Sequence, residues 1–343
     1  MRFYDTTALS DWLAGAFAAC GMAPDAARVG ARVLVRTNAR GVETHGVSRA
    51  LVYVQKLRSG ELAPRPEVRY EDRDGVLHCH AGCGLGQAVA PQVIDEAVSR
   101  AGRAGFVPVI IHDVGHLAAI GMFALQAAEA GMIAFIAQST PPIMALPGST
   151  RAAIGNNPLA FASPVAGGPP LVFDIAASGV ARGNVLAAAR EQREIPLGWA
   201  IDAEGRPTTD PKAALSGAML PMAGHKGIGL AMMVQCLAGS LSGALPASVT
   251  GAAPGSAPSR VGAFLFVANP DLVAGRAAYD AQRLADTQKP GGGAHRASMG
   301  QDMVKGRRTE IEFLTGLIVR KGEEIGIPTP ANASLVDIVK RVE

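Results

Sequence analysis

Apolar positions in the first sixty residues recur with the period of a helix. Thr6 or Thr7 caps a predicted helix running to Ala18, and Pro24 opens an arginine-rich amphipathic helix to Arg40. Leu51, Val52, Val54 and Leu57 mark a third helix over 48–57. Two short apolar runs, 68–70 and 76–80, flank Asp74-Gly75 and predict a hairpin. The pattern then alternates: helix over 87–103, strand over 107–111, helix over 118–129, strand over 133–137. An irregular segment follows, punctuated by Pro141-Pro142, Pro147-Gly148 and Asn156-Asn157-Pro158. Residues 171–175 read as a strand and 178–191 as a helix. Residues 226–241 form an almost wholly apolar helix, a pattern that predicts burial. A Gly/Pro/Ser loop over 246–259, a strand over 263–267 and helices over 310–321 and 335–342 complete the chain, with no internal repeat.

Composition narrows the class. At 343 residues the chain fits two or three domains. With 5% aromatic and 18% charged residues it reads as an enzyme rich in alanine and glycine rather than a disordered chain. The net charge of +3 and the absence of long basic runs argue against nucleic acid. Gly, Pro or a charge interrupts every apolar stretch before the roughly 18 residues of a membrane helix. The start, Met1-Arg2-Phe3-Tyr4-Asp5, is not a signal peptide, and Cys20, Cys79, Cys83 and Cys236 outline no disulfide framework. The expectation is a cytoplasmic protein.

The densest chemistry lies in Thr44-His45-Gly46 with Arg49. An imidazole that exchanges a proton near neutral pH stands beside a hydroxyl, and a guanidinium that matches a carboxylate follows. Such a set suits reduction, or re-oxidation, of a small 2-oxo or 2-imino acid. The plainer reading is a helix cap at Thr44 followed by surface side chains.

Two motifs invite other readings. Gly82-Cys83-Gly84-Leu85-Gly86 follows a strand and opens a helix, but lacks the third glycine of a dinucleotide turn. Asp113 comes about 27 residues after Gly86, later than the usual ~20, and the preceding strand belongs to a hairpin. His78-Cys79-His80 with Cys83 suggests zinc, yet in a strand the histidines face one way and Cys79 the other. No metal is expected.

Further motifs recur in order: Gly115-His116-Leu117-Ala118-Ala119, Gly155-Asn156-Asn157-Pro158-Leu159-Ala160, Phe173-Asp174-Ile175-Ala176-Ala177-Ser178, Pro207-Thr208-Thr209-Asp210-Pro211 and Gly224-His225-Lys226-Gly227. Together with Thr44-His45-Gly46 and Arg49, over about residues 5 to 330, the chain resembles the malate/L-lactate dehydrogenase family that lacks a Rossmann fold. The resemblance implies an α+β fold with a central mixed β-sheet domain (66–299). A helical domain built from the N- and C-terminal segments (1–65 with 300–343) would flank it. It also implies an NAD(P)H-dependent oxidoreductase and a homodimer acting on a small carboxylate, with NADP(H) favoured over NAD(H) by likeness to the imine-reducing members.

By the same resemblance, His45 is the proton donor, Thr44 stands where the family usually has serine, and Arg49 holds the substrate carboxylate. Asn156 matches a substrate contact. His116, Leu117, Ala118, Ala119 and Ile120 match a cofactor stretch whose helix start would receive a phosphate. Asp174, Ile175 and Ala176, then His225 and Lys226, match nucleotide contacts. Arg296 is the expected adenosine-phosphate contact, although Ala297-Ser298-Met299-Gly300 replaces the family's Pro-Gly turn. Imine-reducing members carry a carboxylate where this chain has Asn184 and a histidine where it has Arg182. Asn184 as part of the proton relay and Arg182 as a second cation near the substrate weaken the cyclic-imine assignment and admit a dianion. The alternatives are oxidation of a 2-hydroxy acid of the malate, sulfolactate or ureidoglycolate type, and a catalytically lapsed nucleotide-binding homologue.

Overall fold

Asp5, not Thr6 or Thr7, opens the first helix. Its carboxylate accepts from the Ala8 N–H at 2.8 Å, capping α1 (Thr6–Ala18). This is a computed structural model, and it describes residues 4–244, 261–275 and 279. The chain divides into two units, 1–273 and 274–343, and the account below concerns the first. The helices expected over 310–321 and 335–342, the C-terminal half of the expected helical domain, and Arg296 with its altered turn lie outside the described residues. So does the 246–259 loop.

Pro24 stands at the first position of α2 (Pro24–Ala39), where its missing N–H costs nothing. Two single 3₁₀ turns, Glu43–His45 and Val47–Arg49, lead into α3 (Ala50–Arg58). These helices share a core in which Leu13, Phe17, Leu34, Tyr53 and Leu57 pack with Leu85. No helix among the described residues is long and apolar enough to cross a membrane.

The hairpin forms as expected. Strands β1 (Arg69–Arg73) and β2 (Val76–His80) pair antiparallel across Asp74 and Gly75, whose φ values of 50° and 81° suit a tight hairpin turn. Helix α4 (Gly86–Ala104) leads to β3 (Phe106–Val114), and α5 (Gly121–Glu129) leads to β4 (Ile133–Gln138). With β7 (Leu159–Val165), β8 (Gly168–Ile175) and β11 (Val261–Ala268) they build a 7-stranded sheet of order β1-β2-β3-β11-β4-β7-β8. The sheet is mixed, because β2 and β3 run parallel while the other neighbours are antiparallel. Helices α4 and α5 cover one face through a core that includes Val93, Ile94, Ile111, Phe123 and Ile136. A second, 4-stranded sheet has the order β6-β5-β10-β9, from β5 (Met144–Ala145), β6 (Ala152–Ile154), β9 (Ala200–Ile201) and β10 (Ala218–Met219). Its core joins α6 (Arg182–Glu191), α7 (Pro211–Ser216) and α8 (His225–Val234).

The glycine turn is a non-Rossmann turn for a reason different from the expected one. Strand β2 does begin a parallel β-α-β unit through α4 to β3. What excludes a phosphate there is backbone: a Cβ on Gly86 would stand 2.7 Å from the His116 carbonyl oxygen, and one on Gly115 2.7 Å from the Gly84 oxygen. The glycines let two loops of this chain touch. In turn the Gly115 N–H donates to the Gly84 oxygen at 3.0 Å.

Other departures have local causes. Helix α5 begins at Gly121 rather than 118 because Ala118 adopts a φ of 62°, outside any right-handed helix. Helix α6 begins at Arg182 rather than 178, since Ser178 bridges to Pro221 instead. The expected helix over 226–241 ends as α at Val234 and continues as a π-helical stretch, Gln235–Ser240. It is not wholly buried: Val234 and Ala238 pack inward, whereas Met232, Met233 and Leu241 are 49%, 40% and 53% exposed. Strand β7 lay unseen in the irregular segment because pairing with β4 and β8, not local pattern, makes it a strand.

Candidate active site

Arg49 ends a 3₁₀ turn and Tyr53 follows one turn later on α3, so both side chains share a helix face. They line a cavity of about 200 Å³ whose walls also include Lys56, His116, Gln138 and Thr140. That volume lies below the ~300–1,000 Å³ of pockets for drug-sized ligands and suits a small acid. Lys56 is paired with Glu61 at 2.5 Å. Arg49 makes no ion pair among the described residues, and its Nε is buried without a hydrogen-bond partner. A buried guanidinium nitrogen left unpaired is costly unless a ligand completes it.

His45 is not among the residues that line this cavity; its ring centroid lies 6.0 Å from that of His116, which is. The Thr44 hydroxyl lies 3.0 Å from His45 Nδ1, leaving Nε2 as the other ring nitrogen. Burial, and then the Arg49 charge, push the His45 imidazole down to about 4. His116 is pushed down to about 3, by burial first and then by the charges of His45, Arg49 and Lys56. Both rings are therefore neutral at pH 7. Thr44 is held from the far side by α6, where a Cβ on Gly183 would stand 2.9 Å from the Thr44 Cβ. Asn184 occupies the next position of that helix, half-buried, and Arg182 is exposed at its start. Neither lines the cavity.

The loop carrying His116 is braced from below. Gln138 Oε1 accepts the Leu117 N–H at 2.9 Å, and Gln138 Nε2 donates to the Gly115 oxygen at 3.2 Å. Leu117, Ala118, Ala119 and Ile120 point into the core. The N-terminus of α5, where a phosphate was expected, is closed by a side chain: Gly121 N–H donates to Asp174 Oδ2 at 2.8 Å. Asp174 is exposed as a residue, yet burial of its carboxyl outweighs the Gly121 hydrogen bond and raises it to about 6.

Three segments distant in sequence meet beyond Asp174. The Ala177 N–H donates to the Asn156 oxygen at 2.8 Å, and the Met222 N–H donates to the Ala177 oxygen at 2.9 Å. Ile175 and Ala176 thereby lie next to the turn that starts α8. That helix has no side-chain cap, and His225 and Lys226 in its first turn are exposed and make no ion pair among the described residues. Backbone oxygens of Ala223 and Met222 take the Lys226 and Gly227 N–H groups, so what this turn offers an anionic group is the Lys226 side chain. Asn156 Oδ1 accepts from the Thr140 hydroxyl at 2.9 Å, so it reaches the cavity wall through Thr140.

Sequence reasoning missed Tyr53, Gln87, Gln138, Thr140 and Asn157. Tyr53 was detectable as the residue one turn after Arg49. Asn157 is fully buried with a φ of 32° and donates from Nδ2 to the Ala231 oxygen at 2.9 Å. Asparagine's tolerance of positive φ was the only signal of that backbone. Gln87, Gln138 and Thr140 carry no signal without the contacts. The His78 and His80 face gains His112 from β3, with His78 Nδ1 and His112 Nε2 2.9 Å apart. No metal-ligating group of three exists among the described residues.

A mixed, non-Rossmann sheet thus carries a small cavity lined by Arg49 and His116, with the His45 ring next to that of His116. The chain belongs to the malate/L-lactate dehydrogenase family, which it matches over residues 4–289. Residues 269–343 match a second family, described as the ketopantoate reductase PanE/ApbA C terminal. The chain is 38% identical over 218 residues to (2R)-3-sulfolactate dehydrogenase (NADP(+)) of Chromohalobacter salexigens, covering 64% of this chain and 66% of the relative. It is 38% identical over 226 residues to ureidoglycolate dehydrogenase (NAD(+)) of Escherichia coli O157:H7, covering 65% and 64%. These matches span just under two thirds of each relative's length. Among solved structures it resembles delta1-piperideine-2-carboxylate reductase of Pseudomonas syringae pvar. tomato, with a TM-score of 0.73 and 28% identity over 99% of this chain and 100% of the other.

Proposed function

We propose that this chain is an NAD(P)H-dependent reductase of a small 2-oxo or cyclic 2-imino carboxylate, or runs the same reaction in reverse on a 2-hydroxy acid. One observation carries the reading: Arg49 lines the cavity with a buried, unpartnered Nε beside two neutral histidines. A carboxylate would complete the guanidinium through a two-point contact and place the adjacent carbon toward His45 and His116. Asp174 and the start of α8, with His225 and Lys226, would hold the dinucleotide. When bound, that cofactor supplies the hydride. His45 takes up a proton as the carboxylate offsets the Arg49 charge and donates it to the substrate heteroatom, while Thr44 orients the ring through Nδ1. Asn184 and Arg182 would act, if at all, through Thr44 and the rim. Relatives use NADP(+) or NAD(+) in their names, and NADP(H) remains the proposed preference, as does a cytoplasmic homodimer. The C-terminal match favours the 2-oxo arm, because ketopantoate is itself a 2-oxo acid.

The test is an NADPH and NADH oxidation panel over pyruvate, oxaloacetate, sulfopyruvate, 2-oxopantoate and the two cyclic imines. Turnover of at least one acid is expected. Binding of NADPH with no turnover of any would instead support the lapsed homologue.

Protons report the same site. A carboxylate on Arg49 cancels the second cause that holds the His45 imidazole near 4, so that value rises on binding. At pH 5 the complex therefore takes up a fraction of a proton. Calorimetry of oxamate binding in buffers of different ionisation enthalpy measures this, and release or no exchange would contradict the pairing.

A further inference from the structure

Gln87 is fully buried at the start of α4 and is not among the expected site residues. Its Nε2 donates to the His116 backbone oxygen at 2.8 Å and to the Tyr53 hydroxyl oxygen at 3.4 Å. Reversing the amide would set its oxygen against the His116 oxygen, so the NH₂ group must face this way. The cost is visible on the other side, where Gln87 Oε1 is buried without a partner. That orientation has a consequence two groups away. The Tyr53 oxygen accepts a hydrogen bond from Gln87, so its own O–H is directed to His116 Nδ1, 2.9 Å away. Nδ1 is then an acceptor, and the neutral ring carries its proton on Nε2. Tyr53 keeps its proton throughout, since burial raises it far above the ordinary phenol range.

We propose that Gln87 is a positioning residue that acts through Tyr53 to lock His116 in the Nε2–H tautomer, so that His116 presents a hydrogen-bond donor to the substrate's C2 heteroatom. The proposal rests on the reading of the cavity as the substrate site. Roles divide accordingly: Arg49 takes the carboxylate, His116 holds the heteroatom through Nε2–H, and His45 delivers the proton. A tautomer held wrong removes such a donor without altering the pocket's shape.

The experiment is long-range ¹H–¹⁵N correlation NMR of the histidine rings in the whole protein at pH 7, with the His116 signals assigned by His116→Gln. In the wild type, Nδ1 should be unprotonated and Nε2 protonated. In Gln87→Glu the carboxylate accepts from Tyr53, the chain of donors reverses, and Nδ1 should become the protonated nitrogen. The same variant should lose at least about tenfold in kcat while KM changes little. A wild-type ring protonated on Nδ1 overturns the proposal, as does a Gln87→Glu variant with an unchanged tautomer. Should Gln87→Glu fail to fold, Tyr53→Phe gives the second reading: the single tautomer should be replaced by a mixture, and its persistence overturns the proposal. The NMR result needs no substrate. An Nε2–H wild type that turns over none of the panel acids would refute the reductase reading and leave the positioning role of Gln87 standing.

Discussion

Turnover of the His45→Asn variant is expected to fall by roughly 100-fold or more, the usual scale of general acid catalysis, with NAD(P)H affinity nearly intact. Asparagine keeps a polar group of similar reach beside Thr44 but has no proton to give at any working pH. The geometry sharpens the result, because a second imidazole lies with its centroid 6.0 Å away. If His45→Asn retains more than about a third of wild-type kcat, the proton comes from elsewhere, and His116 is the group that lines the cavity. The pH profile adds a sign. A donor must be protonated, so reductive kcat should decline as pH rises through the imidazole value of the substrate complex. That value lies above the 4 or so that burial and the Arg49 charge impose, once a carboxylate has neutralised Arg49.

Arg49→Lys should raise the substrate KM about 10- to 100-fold while the NAD(P)H Kd stays nearly constant. Lysine keeps the charge but loses the fork, and one charge-assisted hydrogen bond is worth about 1.5–3 kcal/mol. The unpartnered Nε makes the expectation specific, since an ammonium cannot occupy both ends of a planar two-point contact. Arg49→Lys also leaves a positive charge near His45, so the pH profile should move less than the KM. Steady-state kinetics with either cofactor held saturating separate the two quantities. An unchanged KM would place Arg49 outside the substrate site and remove the main support for a carboxylate.

How far the site was legible depends on what each residue does. Thr44, His45 and Arg49 announce themselves because reactive groups stand close together in sequence on one short stretch. His225 and Lys226 are legible for a similar reason, as polar residues at the mouth of an apolar helix. The expectation for 116–120 was only half of what the chain does there. His116 faces a cavity, but the next four side chains are core, and Asp174 occupies the helix start where a phosphate was expected.

Local pattern by itself determined the N-terminal helices, the Asp74-Gly75 hairpin, the alternating helices and strands of the central domain, and the grouping of Thr44, His45 and Arg49 on one short stretch. All of these depend on neighbours within a turn or two, where propensity, capping and turn conformation act. Tertiary structure decided the rest. Strand β7 exists because β4 and β8 offer it backbone partners on both sides. The Gly82–Gly86 turn excludes a phosphate because the His116 loop presses against it. Gln87, Gln138 and Asn157 acquire their roles from donors and acceptors that lie 29, 21 and 74 positions away. Buried polar groups must find partners wherever the fold supplies them, and no periodicity along the chain encodes that match.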